Sequence, residues 1–145
     1  MTSLLTRPRT ILVVEDNAAD AALVADALGR EPAAPGLVIA GGGREALARL
    51  RDPAIVPVPD IVLLDLNLPG FSGLQTLAEL KADARLRHIP VLVLTTSKSQ
   101  DEINRCYELG AAAVLNKPLR LRDHRALLQA LGSFWLEHVR FAEAV

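Results

Sequence analysis

The chain has 145 residues, a formal net charge of −1 and an apolar fraction of 50%. That is enough for one domain with its own core and too short for two ordinary ones. Lys and Arg are spread along the sequence, which argues against the basic stripe of a nucleic-acid grip, and no apolar run approaches the roughly 20 residues of a membrane helix.

Residues 1–9 read as a loose N-terminal tail without a signal-peptide pattern, and residues 10–145 as one domain. The expectation is a cytoplasmic protein that touches neither membrane nor nucleic acid directly. The first strand is expected over Thr10–Glu15, and a helix starts from Asp16-Asn17 with Ala19, Leu23, Ala27 and Leu28 at helical spacing. Pro32 and Pro35-Gly36 break it, and a short strand follows over Leu37–Ala40. Gly41-Gly42-Gly43 reads as a flexible turn, since it matches neither phosphate-loop spacing. Ala46, Leu47 and Leu50 then mark one face of a second helix. The third strand is Asp60–Asp65, and the third helix runs from about Ser72 to Asp83 with Leu74, Leu77 and Leu80 inward. A fourth strand over Pro90–Leu94 leads to a helix from Ser99-Gln100-Asp101 to near Gly110. Cys106 on that helix is the only cysteine, so no internal disulfide framework exists, and it reads as a small core residue. The fifth strand is Ala112–Leu115. The long last helix begins near Leu121, with Leu127, Leu131 and Phe134 on one face and Leu128 and Trp135 on the next.

Five strands alternating with five helices predict a parallel sheet covered on both faces. Right-handed crossovers make this a flavodoxin-like doubly wound α/β sheet of strand order 2-1-3-4-5. Ligands of such a sheet bind at the carboxyl ends of the strands. There the sequence places Glu15-Asp16, Asp65, Thr95 and Lys117-Pro118, each just after an apolar run. Three carboxylates, a hydroxyl and an ammonium suit a divalent cation and a phosphoryl group.

Asp65 is the candidate phosphoacceptor, whose carboxylate would form an acyl phosphate; the alternative is a turn-making Asp. Adjacent acids such as Glu15 and Asp16 raise each other's pKa when buried without a cation. Mg²⁺ would relieve this, taking Asp16, Asp65 and the main-chain carbonyl of Asn67 as direct ligands, with Glu15 acting through water or from behind. Asp16 as a helix cap is compatible with that role. Thr95 is preferred over Thr96 and Ser97 as the first polar residue after VLVL, and its hydroxyl can donate to a phosphoryl oxygen. Lys117 would balance the phosphoryl charge. His88, His124 and His138 lack zinc spacing.

VVEDN (13–17), VLLDLNLPGFSG (62–73), VLTTS (93–97) and GAAAVLNKP (110–118) resemble the receiver domains of bacterial two-component response regulators. The resemblance covers about residues 10–140. It implies that Asp65 accepts a phosphoryl group from the phosphohistidine of a sensor histidine kinase with Mg²⁺ bound, and loses it again by slow autodephosphorylation. Thr95 and Lys117 would read that group, and the face of helix four, strand five and helix five would change. Such a chain is a signalling domain rather than an enzyme acting on other substrates. One departure stands out: many receivers carry an aromatic residue or His three positions before the Lys, where this chain has Val114.

The sequence leaves no room for an output domain, so a single-domain regulator is expected. GSFWLEHV (132–139) resembles the small regulators paired with bacterial phytochromes or related kinases. These often form homodimers through the same face, and a homodimer is expected here. A phosphorelay intermediate or phosphate sink would use the same site. An aspartyl-nucleophile phosphohydrolase similar to the haloacid dehalogenases would need a second Asp where Asn67 stands. A purely structural dimerisation module would leave the acidic cluster unexplained.

Overall fold

The protein is described here by a computed structural model, covering residues 8–32, 34–54 and 58–142. Its elements alternate without exception: β1 (Thr10–Val14), α1 (Ala18–Gly29), β2 (Gly36–Ala40), α2 (Gly43–Arg51), β3 (Ile61–Asp65), α3 (Gly73–Ala82), β4 (Val91–Thr95), α4 (Gln100–Glu108), β5 (Ala113–Asn116) and α5 (Leu121–Glu137). All four strand pairings are parallel, in the order β2-β1-β3-β4-β5. The expected architecture and order are those observed.

The strand period of two divides the core. Leu12, Val14, Val62, Leu64, Val91 and Val93 point to one face, where α2, α3 and α4 cover them with Leu47, Leu50, Leu77, Leu80 and Cys106. Ile11, Val13, Ile61, Leu63, Leu92 and Leu94 point to the other, under Leu23 and Leu28 of α1 and Leu128 and Leu131 of α5. Each such side chain contributes about 1.5–3 kcal/mol on burial. Both faces are covered, and in such a sheet ligands bind at the carboxyl ends of the strands.

Element boundaries shift by a residue or so from the sequence reading. β1 stops at Val14, and β5 runs from Ala113 to Asn116. Ala19 is exposed rather than inward. Gly43 opens α2 as a buried contact residue instead of ending a flexible turn: a Cβ there would lie 1.9 Å from Thr76 Oγ1 of α3. On α5 the buried positions are His124, Leu128, Leu131 and Gly132, while Phe134 is exposed and Trp135 packs partly buried beside Phe141. Of the expected loose tail, residues 1–7 lie outside the described residues. Arg9 is engaged, pairing with Asp60 at 3.5 Å and lying 4.6 Å over the Phe141 ring.

Candidate functional site

Each side chain of the site is delivered by a strand end and fixed by the turn that follows. The Glu15 N–H still donates to the Ala40 carbonyl at 3.0 Å, so the residue after β1 remains part of the ladder. The chain then turns, and Asn17, not Asp16, caps α1: its Oδ1 accepts from the Asp20 N–H at 3.0 Å. Asp16 is thereby left exposed beside the buried Glu15. Beyond Asp65, the Leu66 N–H donates to the Leu94 carbonyl at 2.9 Å, and the Asn67 N–H closes a tight turn onto Asp65 Oδ1 at 3.0 Å. This loop passes directly under the start of α3. A Cβ on Gly73 would lie 2.7 Å from the Leu66 backbone, so only glycine lets the capped helix begin there. Ser72 and Gln75 form a reciprocal capping box over that start.

Thr95 is the last residue of β4 and fully buried, one position past Leu94, the register partner of Asp65. Its Oγ1 accepts from the Ser97 N–H at 2.9 Å. Thr96 is exposed, and its Oγ1 accepts from Asn67 Nδ2 at 2.9 Å, which ties the loops after β3 and β4 together. The Lys117 N–H donates to the Thr95 carbonyl at 2.8 Å, so the β5 loop is clamped to the end of β4.

From that clamp the Lys117 side chain crosses the sheet end. Its Nζ lies 3.1 Å from Glu15 Oε1, 3.3 Å from Asp65 Oδ2 and 2.7 Å from Asp20 Oδ2. Glu15, Asp16 and Asp65 each offer a carboxylate oxygen within 4.8 Å of the others. The fold therefore converges Glu15, Asp16, Asp65 and Lys117, with Thr95 adjacent. Asp20 was not among the sequence candidates. It stands in the first turn of α1, three residues after the cap, and its only cue in the sequence is that spacing.

The electrostatics follow from crowding. Burial, then a hydrogen bond to the Asp65 carboxyl and its charge, pushes the Glu15 carboxyl up to about 7. Burial works against the Lys117 ammonium, but Asp20, Asp65 and Glu15 together hold its pKa above the ordinary lysine value. The donor set fits a hard divalent cation: all oxygen, anionic and short of compensating positive charge. A prediction follows from the sign at Glu15. Its folded pKa lies above its ordinary 4.5, so the folded chain binds the extra proton and loses stability as pH rises from 4.5 towards 7. A hard divalent cation would bind the deprotonated carboxylates, so added Mg²⁺ is expected to raise Tm more at about pH 8 than at about pH 5.5. A Tm increment equal at both pH values, by differential scanning fluorimetry, would contradict this coupling.

Comparison with known proteins agrees with the geometry. A family model for the response regulator receiver domain matches residues 11–130. Response regulator Rcp1 of Synechocystis sp. is 40% identical over 140 residues, covering 94% of this chain and 95% of that protein. The crystal structure of the phosphorylated cyanobacterial phytochrome response regulator RcpA superposes with a TM-score of 0.89 at 36% identity, covering 94% of this chain and 99% of that one. The Mn²⁺-bound form of Rcp1 superposes with a TM-score of 0.88 at 40% identity, covering 94% of this chain and 100% of that one.

Proposed function

The chain belongs to the response regulator receiver domain family, and from that premise we propose that it is a single-domain regulator phosphorylated on Asp65 by a sensor histidine kinase. The observation that carries this is the single ammonium of Lys117 set against Asp65 at the strand ends, beside Glu15 and Asp16. In the transfer, an Asp65 carboxylate oxygen forms a bond to phosphorus as the P–N bond of the donor phosphohistidine breaks. The imidazole nitrogen leaves with the bonding pair. Asp16, Asp65 and the main-chain carbonyl of Asn67 would hold Mg²⁺, with Glu15 behind them. When bound, the cation supplies neutralisation of the charge that develops on the phosphoryl oxygens.

Lys117 offers its N–H donors to the new phosphoryl oxygens, and Thr95 exchanges its bond with the Ser97 N–H for one donated to the phosphoryl group. The added charge of about −1.5 to −2 draws these groups inward. Ser97 and Thr96 move with Thr95, and so does the start of α4. Val114 takes the place of the usual aromatic, but its N–H donates at 3.0 Å to the hydroxyl of Tyr107 on α4. That bond joins the outer edge of β5 to α4 and gives the face an aromatic of its own. A cleft of about 460 Å³ runs from Thr95 and Lys117 to Ile103 and Leu119. Leu119 is 94% exposed, and Tyr107 and Leu121 are exposed as well. This face of α4, β5 and α5 is the surface on which the phosphorylated chain pairs with a second copy. The similarity to RcpA and Rcp1 favours a phytochrome-type kinase as donor.

The test combines hydrogen exchange and light scattering before and after phosphorylation by acetyl phosphate with Mg²⁺. Exchange is expected to change over residues 95–121 and the mass to correspond to two chains. A monomer with exchange altered only at residues 65–70 would indicate a phosphate sink instead.

A further inference from the structure

The Lys117 ammonium donates hydrogen bonds to Glu15 and Asp65 and forms a close ion pair with Asp20. The first two acceptors belong to the carboxylate group that suits a cation, and Asp20 does not. Any cation placed there competes with the ammonium for Glu15 and Asp65. The Asp20 contact, at 2.7 Å the shortest of the three, is the one outside that competition. Among the described residues Lys117 is the ion-pair partner of Asp20, whose backbone N–H is already fixed by the Asn17 cap. Its carboxylate is therefore held on a rigid helix start with one cation to bind. A cavity of about 300 Å³, lined by Asp20, Thr96, Lys117 and His124 among others, adjoins it. Without Asp20 the lysine head would have that space to withdraw into.

We propose that Asp20 is a positioning residue for phosphotransfer: it anchors the Lys117 ammonium beside Asp65 once a cation draws on the carboxylates of the site. This rests on the phosphoacceptor reading of Asp65. It requires Asp20 to act through Lys117 and never to touch the phosphoryl group. The carboxylate is needed, not a polar side chain in general, because an amide oxygen carries no charge to hold an ammonium against the cation.

The test uses wild type, Asp20→Asn and Asp20→Glu as full chains. The chain has three lysines, Lys81, Lys98 and Lys117, so the Lys117 side-chain ammonium can be followed by ¹⁵N NMR while Mg²⁺ is added. In wild type its signal is expected to persist at saturating Mg²⁺, in Asp20→Asn to broaden into solvent exchange, and in Asp20→Glu to return. Uptake of phosphoryl from acetyl phosphate should slow about tenfold in Asp20→Asn, the effect of losing one close charged partner, and recover in Asp20→Glu. An Asp20→Asn ammonium signal that persists with Mg²⁺ as in wild type would overturn the proposal. So would wild-type uptake by that variant. If wild type itself takes up no phosphoryl group, the phosphoacceptor reading fails, and the ammonium signal still reports whether Asp20 anchors Lys117.

Discussion

Asp65→Asn is expected to take up no phosphoryl group from acetyl phosphate and Mg²⁺, and to be more stable than wild type above about pH 7. The two effects have one cause. In the proposed transfer Asp65 supplies the nucleophilic oxygen, and an amide oxygen cannot form the acyl phosphate. It also supplies part of the negative charge that, after burial, lifts Glu15 to about 7. With that charge removed, Glu15 moves back towards its ordinary value of 4.5. Ionising it then costs less, for a gain on the order of 1 kcal/mol. The loss of one Lys117 contact is offset because the ammonium keeps Glu15 and Asp20. Below about pH 5 the gain should vanish, since Glu15 is then protonated in both proteins. Thermal unfolding across pH measures this directly. A variant less stable than wild type at neutral pH would mean that the carboxylate group is not crowded as described.

Lys117→Met is expected to have the opposite and larger effect. It removes the cation that, among the described residues, pairs with Glu15, Asp20 and Asp65, two of them buried. Removing one partner of a buried ion pair typically costs about 3–5 kcal/mol, here roughly 10 °C in Tm. Without the ammonium the Glu15 pKa rises further, so the variant should lose stability steadily as pH increases through neutrality. Mg²⁺ should restore most of that stability, because a cation again occupies the carboxylates. Phosphoryl uptake should fall sharply, and the exchange change over residues 95–121 should not follow. A Lys117→Met protein as stable as wild type in the absence of Mg²⁺ would contradict the ion-pair geometry.

Much of this site was legible because it obeys two periodicities at once. Apolar runs of strand length lead into Glu15, Asp65 and, one residue past Asn116, Lys117, and parallel topology alone brings such ends together. Thr95 was legible for the same reason, although it proves to be inside β4. Asp20 was not, because its approach to Lys117 depends on the direction in which the first turn of α1 leaves the Asn17 cap, which no strand pattern encodes. Nor was the burial of His124. It sits where α5 crosses α1, near Asp20 and Lys117, and burial lowers its pKa first and foremost. On α5 the sequence grouping of Leu127, Leu131 and Phe134 gave way to His124, Leu128 and Leu131, leaving Phe134 outside. A helix with apolar residues on two adjoining stripes can be rotated either way, and packing against Leu28 and its neighbours decides which stripe is buried. Gly43 was read as a turn because glycine triplets suit turns, whereas the close approach of α3 is a tertiary demand.

The most direct measurement is intact mass after incubation with acetyl phosphate and Mg²⁺, followed by mapping of the modified residue. One phosphoryl adduct is expected, dependent on Mg²⁺, removed by hydroxylamine as an acyl phosphate must be, and located at Asp65. An adduct that resists hydroxylamine or maps to another residue, or no adduct where Mg²⁺ demonstrably binds, would contradict Asp65 as the phosphoacceptor.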